Sequence, residues 1–195
     1  MCNFIFSSEA ANLGTFITGL GAIGAVFVAY FQINAWRKQQ LHIKTSEVAG
    51  RALTGVLRLF QAMSYITVPV VDTPTDPVQE VGPLKKTYRQ RKDFSDRLVT
   101  TAEDLNNFFQ IKNECEVYLP DSVNDKLGEV WKCWVSIKVD IPIHFSFLDS
   151  GNTSHSENIR AYDNSFGTSG RAAREKLESE IKALLKPIAK LEHSG

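Results

Sequence analysis

Apolar residues follow two different patterns along this chain, and the change falls near residue 34. Over 13–33 there is no charge and no polar face at helical spacing. Further on, apolar residues return only at steps of three and four, which predicts helices with one buried face. At about 1.5 Å per residue, the 21 residues of 13–33 are long enough to cross the roughly 30 Å hydrocarbon core of a bilayer.

A buried helix of a soluble domain is the alternative for this segment. Gly14, Gly19, Gly21 and Gly24 argue against it, because each glycine inside an aqueous helix costs about 1 kcal/mol relative to alanine, whereas bilayer helices carry glycine freely. The flank also suits a membrane interface: Tyr30, Phe31 and Trp36 form an aromatic belt, with Arg37 and Lys38 directly after it. A cleaved signal peptide needs the opposite order, basic residues before the apolar run and a small-residue cleavage site behind it. Here the first 12 residues carry only Glu9, while Arg37, Lys38, Lys44 and Arg51 follow the run. The positive-inside rule therefore predicts an uncleaved, single-pass anchor, with 1–12 outside, 13–33 in the membrane and 34–195 in the cytoplasm. Tyr30, Trp36, Arg37 and Lys38 are its interface anchors. Ala11, Gly14, Thr18, Gly21 and Ala25 recur at steps of three and four, a seam of small residues that lets a second helix approach closely. Self-association of the span into a homo-oligomer is the expectation.

Between 33 and 65 no turn signal intervenes, and Ala49, Leu53, Val56, Phe60 and Met63 mark one face of a long helix that Gly50 and Gly55 could bend. Pro69, Pro74, Pro77 and Pro83 then predict a connector over 67–83. A second helix is predicted from about 84 to 119, with Leu98, Ala102, Leu105 and Phe109 on one side. A third starts after Pro120 at a Ser122/Asp125 capping box, carries Val123, Leu127, Val130, Trp134 and Ile137, and ends before Pro142. His144 to Leu148 alternates like a short strand. Residues 149–170, rich in Ser, Asn, Asp and Gly, read as a polar loop. The last helix, from about 171 to 192, has Leu177, Ile181, Leu184, Ile188 and Leu191 in register, with a kink or break at Pro187. The fold class that follows is all-α: one transmembrane helix continuing into a cytoplasmic antiparallel helical bundle.

Composition narrows the function classes. The 195 residues are 43 % hydrophobic, enough for a packed core, and a net charge of zero exerts no global pull toward nucleic acid or lipid. Cys2, Cys115 and Cys133 form no C-x-x-C pair, so neither a disulfide framework nor a zinc site is predicted. Buried thiols are the expectation for the latter two. No His pair has H-E-x-x-H spacing. His144, Asp149 and His155 make a weak metal constellation in a segment read as loop, and no metal or other cofactor is expected. GTSGR (167–171) opens a helix without the GK[ST] of a P-loop and reads as a joint rather than an anion site. No G-x-S-x-G occurs, so a non-enzymatic protein is expected.

Charge does cluster once. Lys85, Lys86, Arg89, Arg91 and Lys92, with Tyr88 among them, form the run KKTYRQRK. If 34–65 is a straight helix, its 32 residues place this run about 48 Å from the bilayer, far beyond a Debye length of about 8 Å. The run could there meet nucleic acid or an acidic partner, or serve as a solvated helix start paired with Asp93 and Asp96.

FQINAWRKQQLHIKTSEVAGRALTGVLRLFQAMSYITVP (31–69) resembles a loose group of uncharacterised bacterial single-span proteins. In these a short span is followed by W-R-[KR]-Q, here Trp36, Arg37, Lys38 and Gln39, then a long helix and a proline-bearing loop. The architecture is also similar to membrane effectors of bacterial anti-phage systems, in which a partner senses infection and the anchored protein damages the inner membrane. That resemblance implies a membrane-perturbing effector or toxin coupled to a cytoplasmic partner. The alternative is an anchored adaptor that positions a cytoplasmic partner, a protein or a nucleoprotein.

Overall fold

The computed structural model describes the backbone of residues 3–68, 83–151 and 155–190, and their side chains outside 3–15, 17 and 83–86. Among the described residues the chain is all-helical: α1 (Asn3–Ile66), α2 (Pro83–Thr100), α3 (Ala102–Tyr118), α4 (Asp121–Ser150), α5 (Ser156–Ser165) and α6 (Thr168–Ala189). It divides into two compact units, Met1–Lys44 and Thr45–Gly195. The first is the leading part of α1, and the second holds residues 45–66 of α1 with α2 to α6. The predicted connector and the tail lie largely outside the described residues.

In the second unit α4 is the central element and touches α2, α3, α5 and α6. Its predicted stripe of Val123, Leu127, Val130, Trp134 and Ile137 is buried, and Ile141 and Phe145 extend it by two turns. Around it, Val48, Val56, Leu59, Met63 and Ile66 of α1, Phe94 of α2, Phe108 and Cys115 of α3, and Ile181 and Leu185 of α6 complete one core. On α1, α3, α4 and α6 these residues are separated by three, four or sums of these, so each of those helices buries a single face.

Several expectations are corrected here. Neither proline breaks its helix: α4 runs through Pro142 and α6 through Pro187. Both prolines are exposed, as are Lys138 and Ala183, whose carbonyls lose their usual amide partners. Water can serve those carbonyls while the opposite face stays packed. The expected strand over 144–148 is the last part of α4, which stops at Gly151 instead. That glycine has φ 72°, and its N–H reaches the carbonyls of Phe147 and Leu148. Helix α4 also begins without a side-chain cap, on Pro120, not on the Ser122/Asp125 box. The predicted second helix divides at Thr101, whose hydroxyl bonds back to the carbonyls of Arg97 and Leu98. On α3 the buried anchor is Phe108 and not Phe109, which lies on the Trp131 ring at 4.4 Å, and Ala102 is exposed. Gly50 and Gly55 do not interrupt α1. A Cβ at Gly55 would sit 2.6 Å from Cδ1 of Ile111, so this glycine seats α3 against α1.

The polar stretch 149–170 contains a helix. α5 starts at His155, whose ring accepts the Glu157 N–H, and it buries Asn158, Ala161 and Ser165 at steps of three and four. The α5–α6 turn is tight, since a Cβ on Gly167 or Gly170 would overlap the backbone of Asp163 or Asn164. Gly170→Val is therefore expected to destabilise the second unit by at least about 2 kcal/mol. Urea unfolding followed by tryptophan fluorescence measures it, and an unchanged midpoint would exclude this close approach.

Candidate functional site

In the first unit the apolar side chains described between Phe16 and Ile33 stand exposed. Phe16, Leu20, Ile23, Val26, Phe27, Val28, Tyr30, Phe31 and Ile33 are all more than half exposed, Val26 at 69 %. At 3.6 residues per turn these positions cover roughly 220° of the helix circumference, and the rest carries Thr18, Gly21, Ala22, Ala25, Ala29 and Gln32, so no face is charged, which water would not support as an isolated surface. The segment beginning at Thr18 is long and apolar enough to cross a membrane by length and composition. Trp36 is 60 % exposed, and Arg37 and Lys38 are also exposed. Of the small-residue seam, Thr18, Gly21 and Ala25 are exposed, while the side chain of Ala11 and the surroundings of Gly14 lie outside the described residues. A Cβ added at Gly19, Gly21 or Gly24 would meet nothing within 4 Å, so substitutions there leave this unit's own packing intact.

Lys85 and Lys86 have side chains outside the described residues, and Arg91 is tied to Asp149 at 2.6 Å. Tyr88, 70 % exposed, remains on the surface of α2 with Arg89 and Lys92. Asp93 pairs with Arg97 at 2.7 Å.

Two arginines that the hydrophobic pattern does not mark hold the helix ends. The Arg97 guanidinium donates to the carbonyls of Tyr65 (2.9 Å) and Val68 (2.8 Å) at the end of α1, and sits over the Tyr65 ring. Arg174, only 7 % exposed, donates to the carbonyls of Asn164 (3.0 Å) and Ser165 (3.2 Å) and to the Thr67 hydroxyl (3.4 Å). It therefore joins the end of α5 to the end of α1. Burial pulls its pKa below the usual arginine range, from a starting point so high that it stays protonated. Around Arg97, a cavity of about 100 Å³ is lined by Ile66, Phe94, His144, Phe145, Tyr162 and Phe166. Both of its charged groups, Asp93 and Arg97, are already engaged with each other.

The weak metal constellation is not assembled. His144 Nδ1 lies 2.7 Å from Asn158 Oδ1, His155 stacks on Phe147, and Asp149 pairs with Arg91. No three His, Cys, Asp or Glu among the described residues could hold a metal ion. At the α6 start, Ser169 donates to the Asp163 carboxylate, so the chain's own anion faces the GTSGR turn. Cys115 is buried, and burial raises its thiol to about 11, with Glu114 adding to the rise; burial likewise raises Cys133. Both thiols stay protonated at neutral pH and are expected to react with iodoacetamide more than about tenfold slower than a free cysteine near pKa 8.5. Equal labelling of native and urea-unfolded protein would refute their protection.

No protein family, curated protein or solved structure matches the chain.

Proposed function

We propose that this is a non-enzymatic, single-pass inner-membrane protein, with its N-terminus outside and an antiparallel helical bundle in the cytoplasm. Its span self-associates through the seam at Ala11, Gly14, Thr18, Gly21 and Ala25, and the bundle couples a cytoplasmic partner to the membrane. The observation that carries this reading is the contrast between the units: apolar side chains are uncovered around the first, while the second closes its own core. A bilayer supplies the missing apolar surroundings, and glycine and threonine permit close helix contact within it. The resemblance to anti-phage effectors extends the proposal to a membrane-perturbing role.

Overexpression in cells loaded with a membrane-potential dye tests that role. Depolarisation that Gly21→Ile abolishes supports the effector, whereas unchanged potential at equal expression refutes it.

The second reading is an anchored adaptor, favoured by Tyr88, Arg89 and Lys92, exposed together on α2. It expects a silent dye and RNA or DNA retention that weakens steeply with salt. Arg89→Ala with Lys92→Ala would reduce the salt slope by about two. No salt-dependent retention would remove the nucleic-acid form of this reading.

A further inference from the structure

The groove between α4 and α5 carries charges that the fold itself does not use. It is an open surface groove of about 460 Å³, bordered by Trp131, Lys132, Val135, Val139 and Asp140 on α4 and by Arg160 on α5. Asp140 is only 5 % exposed. Both of its hydrogen bonds fall on one oxygen: Oδ2 accepts from Ser136 Oγ at 2.7 Å and from Asn164 Nδ2 at 3.1 Å. Oδ1 has no hydrogen-bond or ion-pair partner among the described residues. That oxygen is not sealed from solvent, so a donor entering the groove that Asp140 borders gains a charge-assisted bond.

Lys132 and Arg160 are the converse case, two exposed cations without a carboxylate partner among the described residues. Arg160 stands one helical turn, about 6 Å along the axis, before Asn164, the residue that holds Asp140. Arg160 and Asp140 thus border the same groove, and among the described residues no ion pair joins them. Beside them Val135 and Val139, 38 % and 50 % exposed, and the Trp131 ring offer an apolar strip.

We propose that this groove binds a small zwitterion of the α-amino acid type. The ammonium group donates to Asp140 Oδ1, the carboxylate takes the planar fork of Arg160, and the side chain lies along Val139 and Val135 toward Trp131 and Lys132. The volume falls in the range of small-molecule sites. By contrast, the cavity near Arg97 is smaller and its charges are already matched. The assignment stands independently of whether residues 13–33 cross a bilayer.

Calorimetric titration of the full chain in nanodiscs, one free L-amino acid at a time, tests it. At least one is expected to bind saturably, and its N-acetyl derivative and its methyl ester each to bind at least about tenfold more weakly. Arg160→Gln should erase the discrimination against the ester, and Asp140→Asn the discrimination against the N-acetyl form. A merely structural role for either residue would not produce these separate losses. Absence of saturable binding by any amino acid overturns the proposal, as does a binding profile that Arg160→Gln leaves unchanged. Arg160 is exposed and unpaired, so this variant keeps the test valid even if Asp140→Asn fails to fold.

Discussion

Arg174→Leu is expected to lower the stability of the Thr45–Gly195 unit by about 3 kcal/mol or more. Leucine can fill much of the buried volume, but it leaves the carbonyls of Asn164 and Ser165 and the Thr67 hydroxyl without their donor. Each buried acceptor left unsatisfied costs about 1 to 3 kcal/mol, which outweighs the gain from an extra apolar side chain. Arg174→Lys should recover only part of the loss, because a single ammonium cannot reproduce the fork that reaches two helix ends. Urea unfolding of the full chain, read by tryptophan fluorescence, measures both variants. A loss below about 1 kcal/mol for leucine would contradict the role given to this side chain.

Ile23→Arg is expected to shift the chain out of the membrane fraction. A basic residue at the middle of a span costs about 3 kcal/mol on insertion, which is roughly a hundredfold in partition. The margin here is narrow, since Gly14, Gly19, Gly21, Gly24, Thr15 and Thr18 add little apolar transfer energy. Ile23 is 58 % exposed, so on a helix in water the same change would be nearly neutral. Extraction of membranes at alkaline pH separates these outcomes. If the variant stays membrane-bound like the parent, 13–33 does not span.

Apolar periodicity was a sound guide wherever a helix buries large apolar side chains. The α4 stripe from Val123 to Ile137 and the α1 stripe through Ala49, Val56, Phe60 and Met63 both point into the core. The same signal is blind to α5, which buries Asn158, Ala161 and Ser165 and gains its place through contacts with α4 and α6. Proline rules likewise put a helix end before Pro142 and a kink or break at Pro187, yet both helices continue, because the cost of a proline depends on whether water can reach the carbonyl it leaves free. The pattern marked Phe109 for the core, whereas packing buries its neighbour Phe108 and sets Phe109 on Trp131.

The candidate sites divide along the same line. The charge-free apolar run, its aromatic and basic flank and its small-residue seam are properties of neighbouring residues on one helix, and the sequence alone determines them. The pairing of Arg91 with Asp149, the ties of Arg97 and Arg174 to helix ends, and the half-satisfied carboxylate of Asp140 beside Arg160 join residues distant in the chain. Only the tertiary structure decides these, because a charged side chain carries no local signal of its partner. What it does is set by which backbone ends and helices the packing brings within about 3 Å of it.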